Sequence, residues 1–243
     1  MDDSASRPAV DGPAGLHAAE AWIFDLDNTL YPARCNLFAQ IDHRMGEYIA
    51  RLLDTDYDSA KLLQKQYFRR HGTTMRGLMT EHGIDPGDFL AYVHDIDLSV
   101  IAPSAELDEA LGRLPGRKLV FTNGSVPHAE RVLARLGVAR HFAAIFDIVA
   151  SAYQPKPDPV PYRELCRRHA VEPARAIMVE DIARNLVPAH ALGMTTVWVP
   201  GNDSWNSDAG DRSHIHHVVE DLAVWLDRVS RPPVPAEARA PLG

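Results

Sequence analysis

The chain has 243 residues, of which 46% are hydrophobic and 24% charged, an ordinary composition for a folded protein of one or two domains. Its formal net charge of −8 argues against a basic surface for nucleic acid or anionic lipid. No apolar run reaches the roughly 18–20 residues that span a bilayer, and the first twenty residues lack the apolar core of a secretory signal. With only two cysteines, in no paired motif, these features predict a cytoplasmic protein without a membrane or nucleic acid polymer as partner.

Short aliphatic runs alternate with helical patterns along most of the chain. The first nineteen residues are small and polar, and the last thirteen are rich in proline, so both ends are predicted to be tails. Strand, helix and strand in alternation favour a parallel sheet covered by helices on both faces. The predicted strands are residues 22–26, 118–122, 145–149, 176–180, 195–199 and 215–219.

Capping residues delimit four helices between these strands. Ser104, Ser125 and Asp158 can each cap a helix N-terminus, while Gly137 and Gly193 can each end one. The predicted helices are residues 104–114, 126–136, 159–169 and 182–192.

The segment after the first strand has helical periodicity and no convincing strand. One apolar stripe of a first helix is formed by Leu37, Ile41, Met45, Tyr48 and Leu52. Further helices are predicted at residues 59–70, 74–82 and 86–95. The segment is either a plain structural subdomain or a cap over the sheet edge, and the cap is favoured because parallel sheets bind ligands at that edge. The predicted organisation is an α/β core of residues 20–32 and 103–230, a helical cap of residues 33–102, and tails at 1–19 and 231–243.

Two carboxylates follow the first strand. Asp25 and Asp27 are separated by one residue, so in an extended backbone both point to the same side. Two carboxylates this close repel each other unless a cation binds or one holds a proton. A simple turn after a strand would also contain aspartates, so the pair alone favours function only modestly.

Three later segments carry polar groups at predicted strand ends or in a stiff loop. Thr122 is followed by Asn123 and Gly124 at a helix start, where a hydroxyl and N–H groups suit phosphate oxygens. Lys156 lies between two prolines, and the 180–181 pair is acidic. Each segment alone is explained by capping or solvation, but four in one chain order favour a shared site.

Charge sets a condition on a phosphate ligand at such a site. A phosphate monoester would bring about two negative charges to several carboxylates, and each like-charge contact at 4 Å costs on the order of 4 kcal/mol at an effective dielectric of 20. A bound cation and Lys156 would therefore be needed to offset this repulsion.

The four segments together resemble the signature motifs of the haloacid dehalogenase superfamily. The resemblance covers residues 22–229 and implies a Rossmann-like core with an inserted all-helical cap of the C1 type. The matching residues are Asp25-x-Asp27-x-Thr29, Thr122, Lys156 and Glu180-Asp181.

The resemblance also implies a metal site and a set of catalytic roles. A Mg²⁺ ion would be held by Asp25, the backbone carbonyl of Asp27, and Asp181. Asp25 would attack phosphorus to form an aspartyl-phosphate, while Asp27 would first give and then take a proton. Crowding by Asp25 is expected to raise the pKa of Asp27, as that role requires. A dehalogenase needs no proton donor for its halide, so Asp27 favours phosphoryl transfer, with Thr122 and Lys156 completing the catalytic set.

One departure from the family pattern concerns the fourth motif. Many members have Gly-Asp there and a further Asp a few residues later, whereas this chain has Glu180-Asp181 followed by Asn185. The metal role is therefore carried over to Asp181 alone. Glu180 and Asn185 are expected to lie behind the metal ligands.

A shorter resemblance points to the pyrimidine 5′-nucleotidase subgroup. It rests on Leu30-Tyr31-Pro32 and on residues 67–78, and it implies UMP and CMP as substrates. The residues expected to contact the substrate are Tyr67, Thr74, Arg76, Asn123 and Gly124. The expected partner is a small phosphorylated metabolite, and monomer and dimer both stay open.

Three other functions remain open at this stage. A sugar-phosphate or phosphoglycolate phosphatase would use the same machinery with another cap pocket. A sugar phosphomutase is a further possibility, although nothing in the sequence marks a second phosphate site. A regulatory protein whose aspartate is phosphorylated without turnover belongs to a different class, against which Asp27 and the large helical insertion argue.

Overall fold

The computed structural model describes residues 16–201 and 211–231. Within these residues six parallel strands form one sheet in the order β3-β2-β1-β4-β5-β6. The strands are β1 Ala21–Phe24, β2 Arg117–Phe121, β3 Phe142–Phe146, β4 Ala176–Glu180, β5 Thr195–Trp198 and β6 His217–Val218. The α/β fold class predicted from the alternation is confirmed.

Helices pack on both faces of the sheet, and others, inserted after β1, lie over its carboxyl edge. They are α1 Leu37–Leu53, α2 Tyr57–His71, α3 Thr74–His82, α4 Pro86–Val93, α5 Ala105–Arg113, α6 Val126–Leu136, α7 Pro159–Arg168, α8 Leu186–Leu192 and α9 Leu222–Ser230. Side chains of β1 alternate between the two faces, so Trp22 and Phe24 join one buried cluster and Ile23 joins the other. The first cluster includes α5, α6 and α9, and the second includes α7 and α8.

The helices α1 to α4 are inserted between β1 and β2. Their N-termini have local caps: Asp56 accepts from the N–H of Ser59, Thr73 from that of Arg76, and Asp85 from those at 87 and 88. The cap at Asp56 makes α2 begin at residue 57 and not at 59. In the predicted stripe of α1, Leu52 is exposed because Ile49 takes the buried position in the last turns.

Asp147 accounts for two differences from the sequence predictions. Its carboxylate accepts from the N–H of Val126 and from that of Ala150, so the chain turns directly after Phe146. Strand β3 therefore covers residues 142–146 and not 145–149. Ser125 does not cap α6 with its side chain, since Asp147 takes the N–H of Val126 and the Ser125 hydroxyl bonds to a histidine.

Other segments agree with the predictions or lie outside the described residues. The helix predicted at 182–192 begins with a short 3₁₀ turn, Ala183–Asn185, before α8. The strand predicted at 215–219 is the short β6. The tail predictions at 1–15 and 232–243 lie outside the described residues, but at residues 16–19 the tail prediction is wrong, because Leu16 and Ala19 are buried in the core. Over the two described ranges, no helix is long and apolar enough to cross a bilayer.

Candidate active site

The carboxyl ends of the central strands bring the predicted polar residues together. Asp25 directly follows β1, and its N–H donates to the carbonyl of Val179 in β4 at 2.9 Å. A cavity of about 370 Å³ lies between this edge of the sheet and the inserted helices. Its lining includes most of the residues singled out from the sequence, namely Asp25, Asp27, Thr74, Thr122, Asn123, Gly124, Lys156, Glu180, Asp181 and Asn185.

Lys156 is the central cation of the site. Its Nζ donates to Asp25 Oδ1 at 2.6 Å, to Glu180 Oε1 at 2.7 Å and to the carbonyl of Phe121 at 2.9 Å. The residue is only 2% exposed, and all three ammonium hydrogens have an acceptor. The amide of Asn123 holds the lysine loop, because its Oδ1 accepts from the Lys156 N–H and its Nδ2 donates to the Lys156 carbonyl.

Three buried carboxylates could hold a divalent cation. Oxygen atoms of Asp25, Glu180 and Asp181 all lie within 4.8 Å of one another. Burial raises the pKa of Asp25 to about 7, with Lys156 acting against the rise and Glu180 adding to it. The pKa of Asp181 is also well above its usual range, because of burial and then of Glu180 and Asp25. A bound hard cation, which prefers oxygen ligands, would stabilise the ionised form of these acids, so the donor set fits this kind of metal.

Glu180 is better suited to hold Lys156 than to bind a metal. Its Oε1 accepts from Lys156 and from Asn185 Nδ2, both at 2.7 Å, and its Oε2 accepts from the N–H of Ile182. Among the described residues, Asp25 accepts one hydrogen bond at each oxygen, from Lys156 and Thr29, whereas Glu180 accepts three in all, so Glu180 is the more fully engaged of the two. The expected place of Glu180 and Asn185 behind the metal ligands stays a prediction.

Asp27 has a different electrostatic environment from the one expected. Its Oδ1 accepts from the Tyr31 hydroxyl at 2.7 Å and from His128 Nε2 at 2.9 Å. Burial acts to raise the pKa of Asp27, but the electrostatic effect and hydrogen bond of His128, with the Tyr31 bond, outweigh it and lower the pKa. The expectation that crowding by Asp25 raises this pKa is wrong, because hydrogen-bond donors lie closer.

The loop after β2 forms the start of α6 beside these acids. Thr122 Oγ1 accepts from the N–H of Gly124 at 2.9 Å. A Cβ at Gly124 would lie 3.2 Å from that oxygen and 3.4 Å from Cδ2 of His128, so the loop is tightly packed here. Thr122, Asn123 and Gly124 line the cavity just ahead of α6, and a hydroxyl with backbone N–H groups suits an anion.

A family model described as haloacid dehalogenase-like hydrolase matches residues 19–193, a stretch that contains all four motif segments. The chain belongs to this family of hydrolases. Similar curated proteins include "Phosphate metabolism protein 8" of Saccharomyces cerevisiae, 27% identical over 84% of this chain and 63% of that protein. "Enolase-phosphatase E1" of Frankia alni is 31% identical over 51% of this chain and 50% of that protein. The hydrolase chain thus spans less than two thirds of the length of these relatives.

Solved structures of both phosphate-binding and dehalogenase proteins share the fold of this hydrolase. CbbY of Rhodobacter sphaeroides, in complex with phosphate, has a TM-score of 0.60 at 19% identity, covering 84% of this chain and 95% of that one. A 2-haloacid dehalogenase of Pseudomonas syringae pv. Tomato has a TM-score of 0.52 at 22% identity, covering 87% and 97%. Because both kinds of enzyme match, the fold does not choose the reaction.

Two histidines of the hydrolase site were missed from the sequence. His128 lies in the first turn of α6, and its ring stacks on His94 with centroids 4.2 Å apart and planes 9° apart. His94 follows α4, and its Nδ1 is hydrogen-bonded to the Ser125 hydroxyl at 3.0 Å. His128 could have been found from the sequence, because it lies six residues after Thr122 and close to the predicted start of the next helix. Nothing local marks His94, which reaches the site from a distant element.

The inserted helices line the other side of the cavity. Thr74 is part of the lining as predicted, whereas Tyr67 and Arg76 are not among the described residues that line it. The Tyr67 hydroxyl bonds to His82 Nε2 at 2.7 Å, and its ring packs against Gly77. The lining also includes Met45, Gln64, Lys65, Phe68, Thr73, Met75, Phe89, Leu90 and Val93.

Proposed function

We propose that this hydrolase is a cytoplasmic, Mg²⁺-dependent phosphomonoesterase that works through an aspartyl-phosphate on Asp25. The observation that carries the proposal is the Lys156 ammonium, which lies 2.6 Å from Asp25 and 2.7 Å from Glu180 beside three clustered carboxylates. Lysine and a divalent cation together offset the charge of a bound phosphate and of the acids that surround it.

Asp25 is the proposed nucleophile. Lys156 holds its Oδ1, and the Thr29 hydroxyl donates to its Oδ2 at 3.1 Å, so the carboxylate is fixed for in-line attack. Thr122 and nearby backbone N–H groups of the loop after β2 hold the phosphoryl oxygens. Mg²⁺, when bound by Asp25, Asp181 and the backbone carbonyl of Asp27, supplies charge neutralisation.

Asp27 is the proposed proton carrier. Its Oδ1 is engaged by Tyr31 and His128, which leaves Oδ2 to give a proton to the departing alkoxide and later to take one from water. The lowered pKa of Asp27 in the absence of phosphate suits the second step. The first step requires the negative charge of the bound phosphate to raise that pKa. In a dehalogenase the leaving halide would need no such proton. Asp27 therefore supports phosphoryl transfer over dehalogenation in a fold that serves both.

The favoured substrates are pyrimidine nucleoside 5′-monophosphates. The 370 Å³ cavity is within the usual range for small-molecule pockets and combines apolar side chains with the amide of Gln64 and the hydroxyl of Thr74. Such a lining suits a flat base with polar edges. Among its described residues the cationic groups are Lys65, on the inserted helices, and Lys156, in the core.

A screen of phosphate release tests this substrate class. UMP and CMP are expected to give higher kcat/KM than purine nucleotides, sugar phosphates and phosphoglycolate, and turnover is expected to require Mg²⁺. Better turnover of sugar phosphates would overturn the nucleotidase proposal. It would favour the alternative of a sugar-phosphate or phosphoglycolate phosphatase, which the fold shared with CbbY supports. One structure of that protein holds xylulose-(1,5)bisphosphate.

A generic aryl phosphate separates an enzyme from a regulatory protein. A phosphatase releases phosphate over many turnovers, whereas a receiver-type protein stops after one phosphoryl group per chain. Release of one equivalent of aryl alcohol per chain with Mg²⁺ present, without continued release of phosphate, would contradict the proposed hydrolysis.

A further inference from the structure

The two oxygens of Asp27 differ in their hydrogen bonds. Oδ1 accepts from the Tyr31 hydroxyl at 2.7 Å and from His128 Nε2 at 2.9 Å. No donor to Oδ2 is found within residues 16–201 and 211–231. The carboxylate is therefore held at one oxygen, and the second oxygen is the one left for a substrate.

The His128 ring is fixed by its surroundings. It is 1% exposed and lies against His94, whose ring is parallel to it at 4.2 Å. His94 is held in turn by the Ser125 hydroxyl on Nδ1 and by Arg131, which donates to its backbone carbonyl at 2.9 Å. His94, which follows the last inserted helix, thus holds the core residue His128 in place against Asp27.

The nitrogens of His128 indicate a holding role and not a proton relay. An ionised carboxylate only accepts hydrogen bonds, so Nε2 carries the hydrogen that faces Asp27. The other nitrogen, Nδ1, is buried and has no hydrogen-bond partner in the described part of the chain. No onward path for a proton is present there, so His128 can orient Asp27 but not pass its proton on.

We infer that His128 is a positioning residue which, with Tyr31, holds Asp27 Oδ1 so that Oδ2 faces the leaving-group oxygen. The inference rests on the proposed phosphatase function. It assigns to the first turn of α6 a part in leaving-group protonation and not in phosphate binding alone. It also predicts that removing His128 slows esters whose leaving group must be protonated more than esters whose leaving group departs as a stable anion.

Two substitutions at His128 test the inference. His128→Leu removes the donor, whereas His128→Gln keeps an N–H donor on a side chain of similar reach. Each is assayed with p-nitrophenyl phosphate, whose nitrophenolate leaves without a proton, and with the best alkyl phosphate of the screen. His128→Leu is expected to lower the rate of leaving-group release in the first turnover of the alkyl ester by on the order of 10²-fold, within the range for general acid–base catalysis, with that rate little changed for the aryl ester. The first turnover is compared because the later hydrolysis step is common to both esters. His128→Gln should recover most of the alkyl activity.

Equal losses with both esters would overturn the inference, because they would point to a merely structural role. His169→Leu is the matched control, since His169 is a histidine outside the site that lies against Phe146, and it should leave the ratio of the two activities unchanged. If His128→Leu does not fold, Tyr31→Phe removes the other Oδ1 donor and should lower the same ratio. A wild-type ratio in Tyr31→Phe would also count against the inference. If wild-type protein hydrolyses neither ester, the proposed function itself fails.

Discussion

The charge of Asp25 depends on what occupies the site beside it. With no cation present, burial raises its pKa from 3.8 to about 7, so the folded protein binds more protons than the unfolded chain between about pH 4 and pH 7. This group therefore makes the metal-free protein less stable as pH rises through that window. A cation needs the ionised carboxylate and competes with the proton. We predict that the rise in Tm on adding Mg²⁺ is larger at pH 7.5 than at pH 5.5, and thermal unfolding at both pH values measures it. A rise that does not change with pH would contradict this account.

Lys156 supports a second prediction at the same scale. Lys156→Met leaves Asp25 and Glu180 buried without their counter-ion, which is expected to cost about 3–5 kcal/mol in the free energy of unfolding. Mg²⁺ should restore more stability to this variant than to wild type, because the cation relieves a larger repulsion. Urea unfolding with and without Mg²⁺ measures both effects. In the matched control Lys118→Met, the lost ammonium bonds, among the described residues, to the backbone carbonyl of Leu114. The gain in unfolding free energy on adding Mg²⁺ should equal that of wild type.

Sequence patterns predicted which residues meet at the site but not the electrostatics of each one. Asp25, Asp27, Lys156 and Asp181 were predictable because each lies at a strand end or in a stiff loop. The lowered pKa of Asp27 was not, because it comes from His128, which is 101 residues away along the chain.

The packing of α2 against α3 gives a prediction at the scale of elements. A Cβ on Gly77 would lie 2.5 Å from Cβ of Tyr67, so Gly77→Ala forces the two helices apart. We expect a loss of about 1–3 kcal/mol in the free energy of unfolding and a higher KM, since Thr74 lines the cavity from the same helix. Gly112→Ala is the control, because the nearest atom is 3.4 Å away and alanine favours the helix. Equal stability of the two variants in urea would count against this packing.

Local signals predicted the helices better than the edge strand. The caps at Asp85, Ser104 and Asp158 act on N–H groups within three residues, so sequence alone located them. The boundaries of β3 and the supposed cap at Ser125 failed because Asp147, over 20 residues further on, takes the N–H of Val126.

At the scale of the whole molecule, alternation predicted a parallel sheet, but the positions of α1 to α4 over its edge depend on contacts across the cavity. The fold is shared with a dehalogenase and with a phosphate-binding protein, so the reaction follows from individual side chains and not from architecture. The central claim is therefore chemical: Asp25 carries the phosphoryl group.

The most direct measurement is the mass of the Asp25 peptide after acid quench during turnover of p-nitrophenyl phosphate with Mg²⁺. Wild type is expected to show one added phosphoryl group on this peptide. Asp25→Asn should show none and lose kcat by on the order of 10³-fold or more. Asp54→Asn, a change at an exposed helix end, should behave as wild type. Phosphate release without phosphorylated Asp25, or turnover that survives in Asp25→Asn, would contradict the account.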